Sequence, residues 1–443
     1  MPAQGGGMEI IMINIIKRLS PARIIALGFA SLILLGSVLL ILPCSVKDGV
    51  SLRYIDSLYT STSAVCVTGL IAVDAADTFT PLGRFFLAML IQIGGLGVTS
   101  IGAGVVLAIG RRVDIRGRAL IKEAMNLGSG KGIVRLIHKV FIVTLLFELI
   151  GTVLSFIVFS RNYSFLDALG ISLFHSVAAF NNSGFDILGG GTNLIPYRDS
   201  VLLNLVTCGL IIFGGIGFPV INEAWQNRFN LRKISMHSKV VISMTLALLA
   251  AGTVLLKMTE NVDWMGAFFS SVSARTAGFS TYPLNGFTKS GLLVLIVLMF
   301  IGASPGSTGG GIKTTTFFVL LSGMGAAATN RSERVFHYAI PKESFKKAAV
   351  ITLLALAVVI CGTYLIGVLE PDLPFLDVLF ETVSAYGTVG LSTGITSNLC
   401  IGSKVLSIII MYIGRLGPLT VATIWHFSKG DRVTYPEGNI AIG

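Results

Sequence analysis

The chain of 443 residues is 53% hydrophobic and only 12% charged, with a mean hydropathy of +0.82. Soluble domains carry about 25% charged residues, so this composition excludes an ordinary soluble enzyme, a disordered chain, a collagen and a disulfide scaffold. The 51 glycines fit an integral membrane protein, because Gly is more frequent in membrane helices than in soluble ones. The net charge of +11 does not point to nucleic acid, since the basic residues sit in short clusters between apolar runs, the pattern of cytoplasmic membrane loops.

A span needs about 20 mostly apolar residues. Eight stretches qualify: about 22–42, 82–109, 136–159, 200–224, 239–257, 290–325, 348–369 and 402–427. The chain opens with Gly-rich residues before Met8, and Met8 or Met12 would serve as alternative starts. The first apolar run is too long for most signal-peptide cores and reads as a retained span. The sixth span is interrupted by Gly302–Gly311. Four weaker segments, 54–70, 164–185, 262–279 and 374–391, lie between successive pairs of spans. They are too short and too rich in Ser, Thr and Gly to cross alone.

Charge sets the sidedness. Lys17, Arg18, Arg23, eight basic residues in 111–139, four in 228–239, five in 331–347, then Lys429 and Arg432 make 22 of the 33 Lys and Arg. Every second connection is basic, and the others are richer in acid. The positive-inside bias therefore places both termini and the basic loops in the cytoplasm of a multi-pass plasma (inner) membrane protein.

The pattern of span, weak segment, span occurs four times. The expected organisation is an N-terminal cytoplasmic segment 1–20, repeat one at 21–110, a basic loop at 111–135 and repeat two at 136–227. Repeat three follows at 228–330, a basic loop at 331–347, repeat four at 348–428 and a cytoplasmic tail at 429–443. The tail returns to apolar residues (Ile440, Ala441, Ile442) and is expected to help dock a second protomer. The fold class is all-α, with eight spans and four re-entrant loops around one pore.

Each weak segment begins with an Asp (Asp56, Asp167, Asp263, Asp377), a residue suited to a helix N-terminus. Each then runs through small and hydroxyl residues to a Gly followed by a bulky apolar residue: Ser63–Leu70, Ala178–Phe185, Ser273–Ser280 and Ser384–Ser392. The glycines are Gly69, Gly184, Gly278 and Gly390, and a Gly cluster follows each, beginning at Gly94, Gly214, Gly302 and Gly414. About 12 helical residues reach only about 18 Å, so such a segment enters the roughly 30 Å apolar core and must return as extended chain. Irregular backbone at that depth needs protein or water around it. Four such returns around an axis would present rings of carbonyl oxygens able to replace a cation's hydration shell.

These four loops, Tyr386–Gly394 above all, resemble the pore loops of the Trk/Ktr/HKT superfamily of potassium transporters, and the chain is most similar to the membrane subunit of its Ktr branch. The resemblance implies four fused span–pore-helix–span units, with the filter glycines at Gly69, Gly184, Gly278 and Gly390. Four glycines, where some relatives have Ser in the first repeat, imply potassium preference. The expected filter comprises Val65, Cys66, Val67, Thr68 and Gly69; Phe180, Asn181, Asn182, Ser183 and Gly184; Ala274, Arg275, Thr276, Ala277 and Gly278; and Tyr386, Gly387, Thr388, Val389 and Gly390. It would hold K+ through backbone carbonyls. The resemblance places a gate beneath the filter in loop 302–316, with Gly302, Ser304, Gly306, Ser307, Thr308, Gly309, Gly310, Gly311, Lys313, Thr314 and also Arg415. It further implies a homodimer with a pore in each protomer, working with a cytosolic ring of nucleotide-binding (KtrA-like) regulatory subunits. K+ is the transported ion and Na+ a candidate coupling or activating ion; channel and symport both stay open. No covalently bound cofactor is expected.

Charged residues within the spans carry functional readings by default. Arg415 would face the conduit below the filter or satisfy helix-end carbonyls. Lys313 would snorkel to the cytoplasmic edge. Arg275 would pair behind the filter with Glu381 or another carboxylate. Asn181 and Asn182 would bond filter backbone, and Glu148 a neighbouring helix. The five cysteines are scattered without ligand spacing, so neither metal nor disulfides are expected. Two GxSxG matches, around Ser304 and Ser392, lack the strand–turn–helix setting of a nucleophile elbow. A polytopic serine hydrolase is a remote alternative, and a sodium-selective or poorly selective relative a nearer one.

Overall fold

The computed structural model describes residues 19–424, apart from 109–114, 125–131, 229, 231, 331–333 and 337. Residues 1–18 of the expected N-terminal segment and the whole expected tail 429–443, including Lys429, Arg432 and its apolar end, lie outside the described residues, as do Arg111, Arg112, Lys131 and Arg331.

The described chain is helical save for a two-stranded hairpin, β1 (Arg334–Val335) and β2 (Tyr338–Ala339). Four helices are long and apolar enough to cross a membrane: α1 (Pro21–Ile41), α7 (Ile133–Phe159), α11 (Met236–Thr259) and α15 (Lys342–Leu369). Their starts are written locally: Ser20 caps α1, with Pro21 at its first position, and Ser235 caps α11. Their outward faces carry exposed Leu34, Leu35, Leu145, Leu149, Val153, Leu353 and Ile360. Polar residues go inward, as expected where the surroundings are lipid.

The stretches expected as straight second spans are not straight. In the first unit α4 (Pro81–Leu96) turns by 96° into α5 (Val98–Ala108), and in the second α9 (Val201–Ile216) turns by 95° into α10 (Phe218–Gln226). In the fourth, α17 (Ile401–Leu416) breaks at Gly417 before α18 (Pro418–Ile424). The hinges Gly97, Gly217 and Gly417 have φ of 85°, 99° and 88°, a region closed to residues with a Cβ in a regular helix. Hydropathy is blind to such a hinge because it is apolar on both sides. The third unit splits wholly into α13 (Lys289–Phe300) and α14 (Thr314–Thr329), with the Gly-rich chain between them. The basic loop 111–135 contains α6 (Ile115–Ala124).

The weak segments form α2 (Tyr54–Val65), α8 (Phe165–Phe180), α12 (Trp264–Ser273) and α16 (Phe375–Gly387); a single turn, α3 (Ala75–Thr78), follows the first. Each packs on the long helix before it: α1 on α2, α7 on α8, α11 on α12, α15 on α16. Each unit's second helix then packs on the next unit's short helix: α4 on α8, α9 on α12, α13 on α16, and α17 back on α2. The four units therefore close into a ring.

Close approach within a unit depends on one small residue. Gly36, Gly151 and Gly252 on the long helices face Ser61, Ser176 and Ser271 on the short ones. Each hydroxyl donates to the carbonyl three residues before that glycine: Ser61 to Ile33 (2.7 Å), Ser176 to Glu148 (2.6 Å), Ser271 to Leu249 (3.1 Å). In the fourth unit Gly362 faces Thr382, whose hydroxyl instead turns back to Val378 at 2.8 Å.

Candidate functional site: a ring of four glycines

The short helices end by directing four extended strands of chain at one another. Gly69, Gly184, Gly278 and Gly390 have φ of 92°, 68°, 77° and 93°. The residues two before them, Val67, Asn182, Thr276 and Thr388, also have positive φ, between 48° and 71°. Three of these are β-branched, for which this region is a genuine strain.

The glycines touch in a closed order. A Cβ on Gly69 would overlap the Ser183 carbonyl, on Gly184 that of Ala277, on Gly278 that of Val389, and on Gly390 that of Thr68. Hydroxyls behind the ring hold it. Gly69 N–H donates to Ser63 Oγ at 3.0 Å, and Gly390 N–H to Ser384 Oγ at 3.1 Å. The second unit has Ala178 at this position, and there Ser183 bonds the Ala178 carbonyl through both its N–H and its hydroxyl. The third loop is one residue shorter between its Ser and its Gly, so both Ala277 and Gly278 N–H groups share the Ser273 carbonyl, at 2.9 and 3.4 Å. Sequence comparison of the runs holds this signal, a five-residue offset against six elsewhere, and it passed unused.

The second-helix glycines back the loops. A Cβ on Gly94, Gly214 or Gly414 would overlap the carbonyl of Val65, Phe180 or Tyr386, in each case four residues before a ring glycine. Gly302 does not follow this rule; it abuts Gly310 and Gly311 in its own loop. Cys66 and Ala274 are fully buried, as are Asn181 and Asn182.

A cavity of about 400 Å³ opens on one side of the ring, lined by Gly69, Gly278, Gly390, Asp74 and Thr396. On the other side the Gly-rich chain closes in. Gly309 lies against the Thr276 hydroxyl and Gly310 against that of Thr388. Ser304 N–H donates to Gly215 O (3.0 Å), Thr308 N–H to Gly214 O (3.2 Å), and Phe218 N–H to Gly306 O (2.9 Å). Ser304 and Thr314 hydroxyls bond at 3.0 Å, and Ser307 Oγ donates to Ser304 O at 2.6 Å. Arg415 donates to the carbonyls of Thr308 and Gly94, and to Gly95 O at 3.2 Å. It thus bonds the loop and the C-terminal end of α4 at once. Arg415, Gly311 and Lys313 line a second cavity of about 200 Å³.

Several expected partners differ. Lys313 does not reach outward; its Nζ donates to Gly309 O at 2.7 Å, within its own loop. Arg275 makes no ion pair among the described residues, and its Nε is unpartnered beside Thr245, Gly215 and Ala303. Glu381 is taken up by the Thr396 hydroxyl instead, at the start of a 3-10 turn beyond the fourth glycine. Asn181 donates behind the ring rather than to filter backbone: to Gln92 at 2.7 Å, Glu148 at 3.2 Å and the Val177 carbonyl of α8 at 2.9 Å. Of the four aspartates only Asp263 is an N-cap, accepting from Gly266 N–H at 2.9 Å. Asp56 is buried and paired with Lys404 of α17 at 2.8 Å, a cation the sequence reading passed over within an apolar run.

Beyond the second glycine, Asp186 is buried in the connection between α8 and α9. Burial, reinforced by Asp74 and Asp77 nearby, pushes its carboxyl up to about 6, against the Leu188 N–H that it accepts. Asp74 and Asp77 meanwhile bind Gly191 N–H (2.7 Å) and Gly190 N–H (3.1 Å), tying the first unit's outer loop to the second's.

Apolar helices with bent pairs, closed around four convergent glycines, define a helical membrane protein built about an axial site. The family model for TrkH, described as "Cation transport protein", matches residues 25–260 and 228–430, and the chain belongs to this family. It is 35% identical to the Ktr system potassium uptake protein B of Bacillus subtilis, over 96% of this chain and 97% of that one. It is also 35% identical to the potassium/sodium uptake protein NtpJ of Enterococcus hirae, over 98% and 100% of the two chains. The structure of the potassium transporter TrkH from Vibrio parahaemolyticus superposes with a TM-score of 0.72 at 18% identity, covering 92% of this chain and 86% of that one. The family is one of cation transporters rather than enzymes, which removes the hydrolase alternative. Ser304 bonds the Thr314 hydroxyl, Ser392 bonds Gly394 N–H, the Thr396 hydroxyl and Glu381, and neither bonds a histidine among the described residues.

Proposed function

We propose that the chain is the potassium-translocating membrane subunit of a Ktr-type uptake system. The observation that carries the reading is the closed ring of Gly69, Gly184, Gly278 and Gly390, each seated against its neighbour's preceding carbonyl. K+ sheds water at carbonyls from the four segments 65–69, 180–184, 274–278 and 386–390, then passes the loop 302–316 under the control of Arg415. In this reading the membrane holds eight spans, the second of each unit being the bent or divided pair, and four re-entrant segments. The repeats run 21–110, 136–227, 228–330 and 348–428. Both termini and the basic loops face the cytoplasm of the inner membrane. The relatives named as Ktr system proteins support a membrane subunit working with other components of such a system; in this reading those components are a cytosolic ring of nucleotide-binding regulatory subunits, and the membrane part is a homodimer.

The potassium/sodium name of the Enterococcus hirae relative favours one further reading, in which Na+ couples to or activates K+ passage. Flux of rubidium and sodium through the purified chain in vesicles tests both. Rubidium flux far above sodium flux, blocked by K+, is the expected outcome. Equal fluxes would overturn potassium selectivity, and rubidium uptake that requires Na+ would establish coupling.

A further inference from the structure

The helix α10 leaves the second unit nearly at right angles to α9, across the 95° hinge at Gly217. A helix perpendicular to a span lies along the membrane surface, here at the end of α9 that leads into a basic connection. Its first turn is anchored: Phe218 and Val220 are buried, and Phe218 packs near Phe180 with ring centroids 6.3 Å apart. Asn222 accepts from Lys139 Nζ of α7 at 2.7 Å, fixing the helix against a second element. Its far end is different. Trp225 is 64% exposed, an amphipathic ring of the kind enriched where hydrocarbon meets headgroups.

Four cations follow within 14 residues: Arg228, Arg232, Lys233 and Lys239. Arg228, Arg232 and Lys233 are exposed, and none of the four makes an ion pair among the described residues. The single acid of the segment, Glu223, is occupied. It accepts from Ser235 N–H (2.7 Å), Ser235 Oγ (2.8 Å) and the Ser238 hydroxyl. Those bonds tie α10 to the first turn of α11, so both ends of the connection carrying the cations are fixed.

We infer that α10 and the connection after it form a binding site for the headgroup of an anionic phospholipid in the cytoplasmic leaflet. Trp225 sits at the acyl boundary, and Arg228, Arg232 and Lys233 take the phosphate. An interfacial helix with an aromatic anchor and adjacent basic residues has the chemistry to select anionic over zwitterionic lipid. The competing occupant, an acidic protein surface, does not account for an exposed indole beside the cations.

The test uses the full chain alone in vesicles, with Trp264→Phe and Trp425→Phe so that Trp225 reports singly. Quenching by brominated phosphatidylglycerol is compared with quenching by brominated phosphatidylcholine at equal mole fraction. At least twofold stronger quenching by the anionic lipid is expected. The preference should vanish in R228Q/R232Q/K233Q and shrink in about 1 M salt, where the Debye length is about 3 Å. The salt measurement stands if the triple variant fails to reconstitute. Equal quenching by the two lipids, or a preference insensitive to salt and to the triple substitution, overturns the site. Trp225 shielded from both lipids would make the surface a protein interface and overturn it equally.

Discussion

Lys404 and Asp56 form a buried ion pair at 2.8 Å across 348 residues of chain, joining α17 of the last unit to α2 of the first. Lys404 is 1% exposed, and it also donates to Ser397 O at 3.2 Å. Arg53 reaches the same aspartate at 2.8 Å from a mostly exposed position. The pair sits where the ring of units closes, between the second helix of the last unit and the short helix of the first.

Removing one partner of a buried pair strands the other, at a cost of about 3–5 kcal/mol. Lys404→Met should therefore lower the melting temperature in detergent markedly, while Arg53→Gln, at an exposed site, should cost no more than about 1 kcal/mol. The double variant Asp56→Asn/Lys404→Met should regain much of the loss, because no buried charge remains and the Arg53 left without its ion pair is mostly exposed. A double variant as unstable as the single one would show that the pair does not act as a unit.

What could be read from the residues followed from backbone demands. Backbone at positive φ favours glycine at Gly69, Gly184, Gly278 and Gly390, so these positions stand out beside their hydroxyl-rich runs. The break at Gly302–Gly311 stood out for the same reason. Partnership was not legible. Lys404 lies in an apolar run whose inward face no pattern marks, and Arg275 has several candidate carboxylates and takes none. The hinges at Gly97 and Gly217 were hidden because apolar residues continue on both sides. Among 51 glycines, Gly36, Gly151 and Gly252 carry no mark of their seat against Ser61, Ser176 and Ser271.

At Gly69 a side chain would meet both a positive φ and the Ser183 carbonyl. Gly69→Ser should fold, since the loop remains held by Ser63, but the carbonyl ring must shift. Discrimination against sodium should fall about tenfold, equivalent to about 1.4 kcal/mol. Rubidium and sodium fluxes in vesicles measure it, and an unchanged ratio would place selectivity elsewhere.

Asp186 gives a pH dependence with a defined sign. Its carboxyl is raised by burial from 3.8 to about 6 in the folded chain. Between those values the folded chain keeps a proton that the unfolded chain has released, so stability falls as pH rises through about 4 to 6. The full effect is about 3 kcal/mol. Asp186→Asn should remove that fall and raise the melting temperature at pH 7, with little change at pH 4. A variant that loses stability at pH 7 would mean that the carboxylate is needed charged.

The loop 302–316 is held in its observed shape by a few identifiable bonds. Arg415 contributes those to Thr308, Gly94 and Gly95, and Lys313 one to Gly309. Hydrogen bonds to charged groups contribute about 1.5–3 kcal/mol each, comparable to the few kcal/mol that separate bistable states. Gly309 and Gly310 meanwhile lie so close to Thr276 and Thr388 that a Cβ on either would overlap a threonine hydroxyl, which packs the loop directly against the third and fourth segments. Arg415→Ala removes both the bonds and the positive charge, and shortening Gly306–Gly311 removes part of the loop itself. Either change should raise potassium flux about tenfold or more in vesicles without the proposed regulatory subunits, at about 1.4 kcal/mol per factor of ten. The further increase on adding those subunits should shrink correspondingly. Lys313→Met, which breaks only a bond within the loop, should have the smaller effect. If both principal variants fold, keep wild-type flux and still depend fully on the partner, the segment is a kink and the gate lies elsewhere.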